Sequence, residues 1–166
     1  MTTESFAKFF RKATALPGLP GREPYPYQTA LAESESTPVL LNVLTGVGKT
    51  AAAVLGWVYR RRAHPNIHVR ASTPRRLVYC LPMRTLVAQT EREAYKWLKN
   101  LNLSNKIDVH VLMGGGDTIP WDRNPDREAI LIGTQDMLLS RALNCGYGMS
   151  RYLWPVHFAW LNNDCL

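Results

Sequence analysis

Leu41-Asn42-Val43-Leu44-Thr45-Gly46-Val47-Gly48-Lys49-Thr50 is the stretch that decides how this 166-residue chain is read. An apolar run, Val39 to Leu41, leads into it, and Ala51-Ala52-Ala53 follows: the order of strand, tight glycine loop and helix. Successive backbone N–H groups of such a loop wrap a phosphate, and the helix start adds the positive end of its dipole. Gly46 and Gly48 allow the required dihedrals and a close approach of backbone to phosphate. Lys49 would reach the β- and γ-phosphates, and the Thr50 hydroxyl would take a place on Mg²⁺. The usual first glycine of the motif is Val43 here. Thr45 to Ala51 is the expected cradle for a nucleoside triphosphate, with Lys49 and Thr50 carrying its chemistry.

Downstream, a helix is expected from Lys49 to Arg62, burying Ala53, Val54, Trp57 and Val58 and stopped by His64-Pro65-Asn66. Residues 65–74 read as a surface loop. Arg76 to Leu81 is a continuous apolar strand of the kind buried on both faces of a parallel sheet, and Pro82 ends it. From Thr85 to Leu101 the apolar residues Leu86, Val87, Ala94, Trp97, Leu98 and Leu101 recur at helical period. Ile107 to Met113 alternates as a third strand, halted by Gly114-Gly115-Gly116. Asp117 to Asp126 is a loop, Ala129 to Ile132 a fourth strand, and Thr134 caps a helix running to about Leu143.

Upstream, Phe6, Phe9 and Phe10 stand opposite Lys8, Arg11 and Lys12, an amphipathic helix over Thr3 to Thr14. Leu16-Pro17-Gly18-Leu19-Pro20-Gly21 is a turn-rich linker, and a short helical run follows Tyr25-Pro26-Tyr27-Gln28 to about Glu33. The alternation of strands and helices implies an α/β fold with a mostly parallel sheet flanked by helices. The N-terminal helix and linker occupy 1–23, and the α/β domain 24–166.

An apolar share of 46% is that of a globular protein and excludes disorder. No apolar run approaches the roughly 20 residues that span a bilayer, so no membrane is expected as partner. The polar Met1-Thr2-Thr3-Glu4-Ser5 start lacks the order of a signal peptide, which predicts a cytoplasmic protein. Cys80, Cys145 and Cys165 are too widely spaced for a disulfide framework or zinc site, and Cys80 reads as a small core residue. A net charge of +7 favours a polyanionic partner, most commonly nucleic acid. Arg60-Arg61-Arg62 and Arg75-Arg76 read as a solvated helix end and a strand flank, with nucleic-acid contact as the alternative. The tail aromatics Tyr152, Trp154, Phe158 and Trp160 read as core, with a base-stacking platform as the alternative.

Four blocks in fixed order carry a resemblance: Pro26-Tyr27-Gln28, the phosphate loop, Leu81-Pro82-Met83-Arg84-Thr85-Leu86-Val87-Ala88-Gln89-Thr90, and Ile132-Gly133-Thr134-Gln135-Asp136-Met137-Leu138. Together they resemble the glutamine motif and motifs I, Ia and Ib of the first RecA-like domain of superfamily 2 (DEAD/DEAH-type) helicases. The wording of the last two blocks, including Tyr79 and Cys80, is similar to the CRISPR-associated helicase-nuclease of type I systems, and the likeness runs from about Phe9 to Leu166. The resemblance implies a P-loop NTPase fold, ATP and Mg²⁺ as cofactors, single-stranded DNA as partner, and a CRISPR effector complex as recruiter. It implies that Gln28 reads the adenine edge, with Tyr25 or Tyr27 as a stacking face. It implies that Arg84, Thr85, Gly114, Gly115 and Thr134 contact the DNA backbone. The bland readings are a helix-start role for Gln28, a cap for Thr85, and a plain turn for the glycines.

The family's next element is a strand ending in Asp-Glu, and no Asp-Glu pair occurs in the sequence. The chain therefore reads as a first RecA-like domain cut short, expected to hydrolyse little ATP alone and to expose an unpaired sheet edge. A binding module without turnover is the second reading. A small P-loop kinase is the third, weakened by Val43 and by the motif Ia and Ib blocks.

Overall fold

The computed structural model describes residues 4–36, 40–113, 124, 126–146 and 148–166. Among the described residues, seven α-helices and three strands are formed: α1 (Phe6–Thr14), α2 (Pro26–Glu33), α3 (Lys49–Arg62), α4 (Ile67–Ser72), β1 (Arg76–Leu81), α5 (Arg84–Asn100), β2 (Ile107–Leu112), β3 (Glu128–Thr134), α6 (Gln135–Ala142) and α7 (Trp154–Asn162). The chain divides into two compact units, Met1–Thr73 with Lys96–Leu103, and Pro74–Tyr95 with Ser104–Leu166.

The first unit is helical. Phe6, Phe9, Phe10 and Ala13 line one side of α1 and are buried, as their spacing requires. Phe6 and Phe9 meet the Tyr59 ring of α3 edge-on at 5.2 and 5.4 Å. Such pairs add about 0.5–1.5 kcal/mol each beyond burial. Burial raises the pKa of the Tyr59 phenol, the carboxylates of Glu33 and Glu4 adding to it, and the hydroxyl donates to the Glu4 carbonyl at 3.0 Å. The linker is folded against α1: a Cβ on Gly21 would lie 1.7 Å from the Arg11 carbonyl oxygen, and the Arg22 N–H donates to Thr14 Oγ1 at 2.8 Å. On α3, Val54 to Arg60 are all buried, whereas Ala53 is only half-buried. The expected loop at 65–74 contains α4, because the Asn66 side chain accepts from the His68 N–H at 2.9 Å and starts a helix.

The strand expected at Val39 to Leu41 is not found: 39 lies outside the described residues, and Leu40 to Leu44 form no ladder. Leu40 and Leu44 are 81% and 80% exposed. The described part of this unit contains no strand to pair with, and an apolar run alone cannot satisfy its backbone groups.

The second unit is the expected parallel sheet, in the order β1-β3-β2. The central β3 is buried from Glu128 to Gly133, and Leu112, Ala129, Leu131 and Leu138 form a core joined by Val78, Trp160 and Leu161. Among the described residues, the outer edge of β1 is paired at its start. The Arg76 N–H donates to the Asp164 carbonyl at 3.1 Å, the Leu166 N–H to Arg76 at 2.9 Å and the Val78 N–H to Leu166 at 2.9 Å. Past that pairing Cys80 is exposed, which corrects its reading as a core residue; β1 is an edge strand over its second half, not a strand buried on both faces. The tail is corrected as well: Tyr152 is 92% and Phe158 43% exposed, while Trp160 packs against the core, under the Arg76 guanidinium at 4.4 Å.

On β2, Arg127 grips Asp108 with two bonds, Nε to Oδ2 at 2.9 Å and Nη2 to Oδ1 at 2.5 Å. This hydrogen bonding holds the Asp108 carboxyl below its ordinary 3.8. Burial keeps the neighbouring His110 below 6.5, with the Asp108 carboxylate opposing the shift and Arg127 reinforcing it. Both groups have depressed folded pKa values, so the unfolded chain binds protons first as pH falls. Stability is therefore lost as pH drops below 6.5 through His110, and again below 3.8 through Asp108. Thermal melts at pH 7.5, 6 and 5 check this: the midpoint should fall, and His110→Gln should flatten the fall; equal slopes in the two proteins would contradict it.

Candidate functional site

The phosphate loop lies in the first unit, between the exposed Leu44 and the start of α3. Gly46 and Gly48 have φ of +80° and +77°, the left-handed conformation that glycine adopts without a Cβ clash. Gly48 is the N-cap of α3, so the helix dipole begins inside the loop. Lys49 Nζ donates to the Val43 and Leu44 carbonyls at 3.1 and 3.3 Å and is exposed toward the loop mouth. Val43, where the motif usually has glycine, thus supplies a carbonyl for the lysine, a role any residue fills.

Helix α2 grips the loop from one side. Tyr27 Oη donates to the Val47 carbonyl at 2.6 Å, and Gln28 Nε2 donates to the Gly48 carbonyl at 2.9 Å. Gln28 Oε1 accepts from the Tyr25 N–H at 2.8 Å, closing the α2 N-terminus as a capping box. Gln28 is therefore a helix-start residue and a loop anchor at once, only 1% exposed, with one lone pair and one N–H in hand beyond these bonds. Tyr25 is 51% exposed and its ring stacks on Tyr27 at 6.3 Å and 18°. Neither the Tyr27 nor the Gln28 bond to the loop was legible in sequence, since residues 20 apart carry no periodic signal.

The donor set fits a triphosphate. The loop offers consecutive backbone N–H groups, an ammonium and a helix start, and nothing lies within 4 Å of where a Gly46 Cβ would sit. Thr50 and Ala51 open α3. Among the described residues there is no group of three His, Cys, Asp or Glu, and the Thr50 hydroxyl at the start of α3 is the loop oxygen that could meet Mg²⁺ beside phosphate oxygens and water.

In the second unit, the carboxyl ends of β1 and β3 lie side by side, Leu81 opposite Thr134. Open α/β sheets bind ligands at this end. An open groove of about 620 Å³ lies there, lined by Pro82, Arg84, Thr134, Asp136, Met137, Leu139 and Ser140. The structure thus brings Arg84 and Thr134 to one surface. Thr85 is exposed but outside the lining, and as the second residue of α5 it is not a cap. Thr134 holds the N-cap position of α6 without a side-chain cap bond. Asp136 is an acidic member of the groove that sequence reasoning did not single out. Gly114 and Gly115 lie outside the described residues.

The arginine clusters serve the fold. Arg60 is buried, which lowers its pKa, and it donates to the Ser34 and Glu35 carbonyls. Arg61 donates to Arg70 and Thr73 carbonyls at 3.2 and 3.0 Å. Arg75 pairs with Asp164 at 3.3 Å, and Arg76 donates to the Asn163 carbonyl at 3.0 Å. The reading as a solvated helix end holds for Arg62, which is exposed at the end of α3, and not for the buried Arg60.

The sequence profile of the DEAD/DEAH box helicases matches residues 25–152, from the start of α2 through the tail loop and well over half of the chain. The chain belongs to the DEAD/DEAH box helicase family, within superfamily 2. Its fold is a partial RecA-like domain with the parallel sheet described above. Its family function is that of an ATP-dependent nucleic-acid helicase, working with ATP and Mg²⁺. No curated protein matches the chain. Among the described residues no helix is long and apolar enough to cross a membrane.

The loop geometry predicts an order of stability. A Cβ at φ near +80° costs about 1–2 kcal/mol, so Gly46→Ala should lose about that much. Gly48→Ala should lose more, because its Cβ would also lie 2.9 Å from Gln28 Nε2, which is buried and cannot swing away. Urea midpoints of the two variants give the order; equal losses would contradict the tight packing of Gln28 on the loop.

Proposed function

We propose that this chain is the ATP-binding part of a single-stranded DNA translocase of CRISPR interference, acting in the cytoplasm and recruited by a type I effector complex. The single observation that supports it most is the formed phosphate loop: Lys49 is seated over the loop and its carbonyls are drawn to one side by α2. ATP supplies the energy of translocation when bound. Lys49 and the N–H groups of residues 46–51 hold its phosphates, Thr50 gives Mg²⁺ a hydroxyl, and the exposed Tyr25 ring offers the adenine a stacking face; Gln28, 1% exposed, meets the adenine edge only when its side chain turns out of the helix start. In the groove, Arg84 pairs with a DNA phosphate and Thr134 offers a backbone N–H at the start of α6, contacts that position a strand without reading its sequence. The finer CRISPR assignment rests on the wording of the Leu81–Thr90 and Ile132–Leu138 blocks.

Binding without turnover is the second reading of the isolated 166 residues. The sequence contains no Asp-Glu pair to hold Mg²⁺ and orient water, and phosphoryl transfer depends on such positioning. Titration with a fluorescent ATP analogue and Mg²⁺ tests the proposal. Saturable binding should be lost in Lys49→Ala, single-stranded DNA should strengthen it, and Arg84→Ala should remove the DNA effect alone. Binding that survives Lys49→Ala would contradict the proposal. ATP turnover at the rate of a complete helicase would contradict the reading without turnover.

A further inference from the structure

The Tyr27 hydroxyl donates to the phosphate loop, its oxygen 2.6 Å from the Val47 carbonyl. Val47 is the residue between the two left-handed glycines, Gly46 and Gly48. A peptide unit is planar and trans, so its C=O and the N–H that follows point in opposite directions. Drawing the Val47 carbonyl toward α2 turns the Gly48 N–H away from α2. Drawing the Gly48 carbonyl to Gln28 Nε2 does the same for the Lys49 N–H, and the Ala52 N–H holds that carbonyl from the helix side at 3.0 Å. Two consecutive peptide planes are thereby fixed with their donors on the face opposite α2, the concave arrangement that binds an anion.

We infer that Tyr27 is a positioning residue for the nucleotide's phosphates, its hydroxyl fixing the Val47–Gly48 peptide so that the Gly48 N–H faces the phosphate. The hydroxyl is thereby assigned to the loop, while the half-buried ring backs the exposed Tyr25 ring. Gly48 has no side chain of its own and would otherwise rotate freely between the two orientations of that peptide. A hydroxyl anchored on the helix next to the loop removes that freedom before any ligand arrives, and affinity gains what ordering would have cost. The inference rests on the nucleotide reading of the same loop.

Tyr27→Phe removes the hydroxyl and keeps the ring stacked on Tyr25. On the intact 166-residue chain, the ATP analogue and inorganic tripolyphosphate should each bind about three- to tenfold more weakly, the scale of one lost hydrogen bond. Adenosine, which has no phosphate, should bind as it does to wild type, and amide exchange in the peptide covering residues 45–51 should quicken. A variant that only loosened the fold would weaken adenosine as well. Unchanged ATP-analogue binding in Tyr27→Phe, or an equal loss for adenosine, overturns the inference while leaving the nucleotide reading intact. Wild-type chain with no Lys49-dependent binding overturns both.

Discussion

The hydrogen bonds from α2 to two neighbouring loop carbonyls are the constraint on which the site depends. A glycine-rich loop by itself is a set of rotatable peptides, and its anion-binding form is one of many. Here Tyr27 and Gln28, adjacent on one helix, each capture a carbonyl of adjacent residues, Val47 and Gly48. Gln28 is in turn locked by the Tyr25 N–H and by burial. The helix is itself packed on α3, where a Cβ placed on Gly56 would lie 4.0 Å from the Leu31 side chain. Since α3 begins at the loop, the two helices and the loop form one closed circuit, and α1 backs it through the Phe6, Phe9 and Tyr59 rings.

This arrangement gives the glutamine motif a structural duty that precedes any contact with adenine. The side chain has two lone pairs and two N–H groups, and half of that capacity is spent on the helix start and the loop. The helix start and the loop therefore draw on the same buried amide, and a substitution at Gln28 disturbs both. Tyr27 adds a second hold on the loop through its hydroxyl. The basic residues show a similar economy. Arg60, Arg61 and Arg76 donate to backbone carbonyls, so the net charge of +7 overstates how much positive surface is available to nucleic acid. Arg84, exposed at the carboxyl end of β1, is the cation that the groove presents.

Local patterns were legible where the chain is organised locally. The 3.6-residue period placed α1, α3 and α5 within a few residues, and apolar runs marked all three observed strands. The nucleotide loop was readable because glycine, lysine and threonine at that spacing have a mechanism attached. What escaped were features set by distant partners. Val39 to Leu41 has the composition of a strand, but Leu40 and Leu41 have no ladder to join among the described residues, while Cys80 looks like core and lies on an edge. The tail aromatics were read as core because of their size, yet Tyr152 and Phe158 point to solvent. Helix α4 was missed although Asn66 is a cap residue, because Pro65 two residues before Ile67 suggested a loop. The bonds from α2 to the loop join residues 20 apart, and no periodicity encodes them.

A structure of the full chain with a non-hydrolysable ATP analogue and Mg²⁺ tests the central claim most directly. The account predicts phosphates on the N–H groups of Gly48 and Lys49, with Tyr27 Oη still on the Val47 carbonyl and Gln28 still on Gly48. A nucleotide bound elsewhere, or a loop whose Val47 and Gly48 carbonyls have left α2 to accommodate it, would contradict the account.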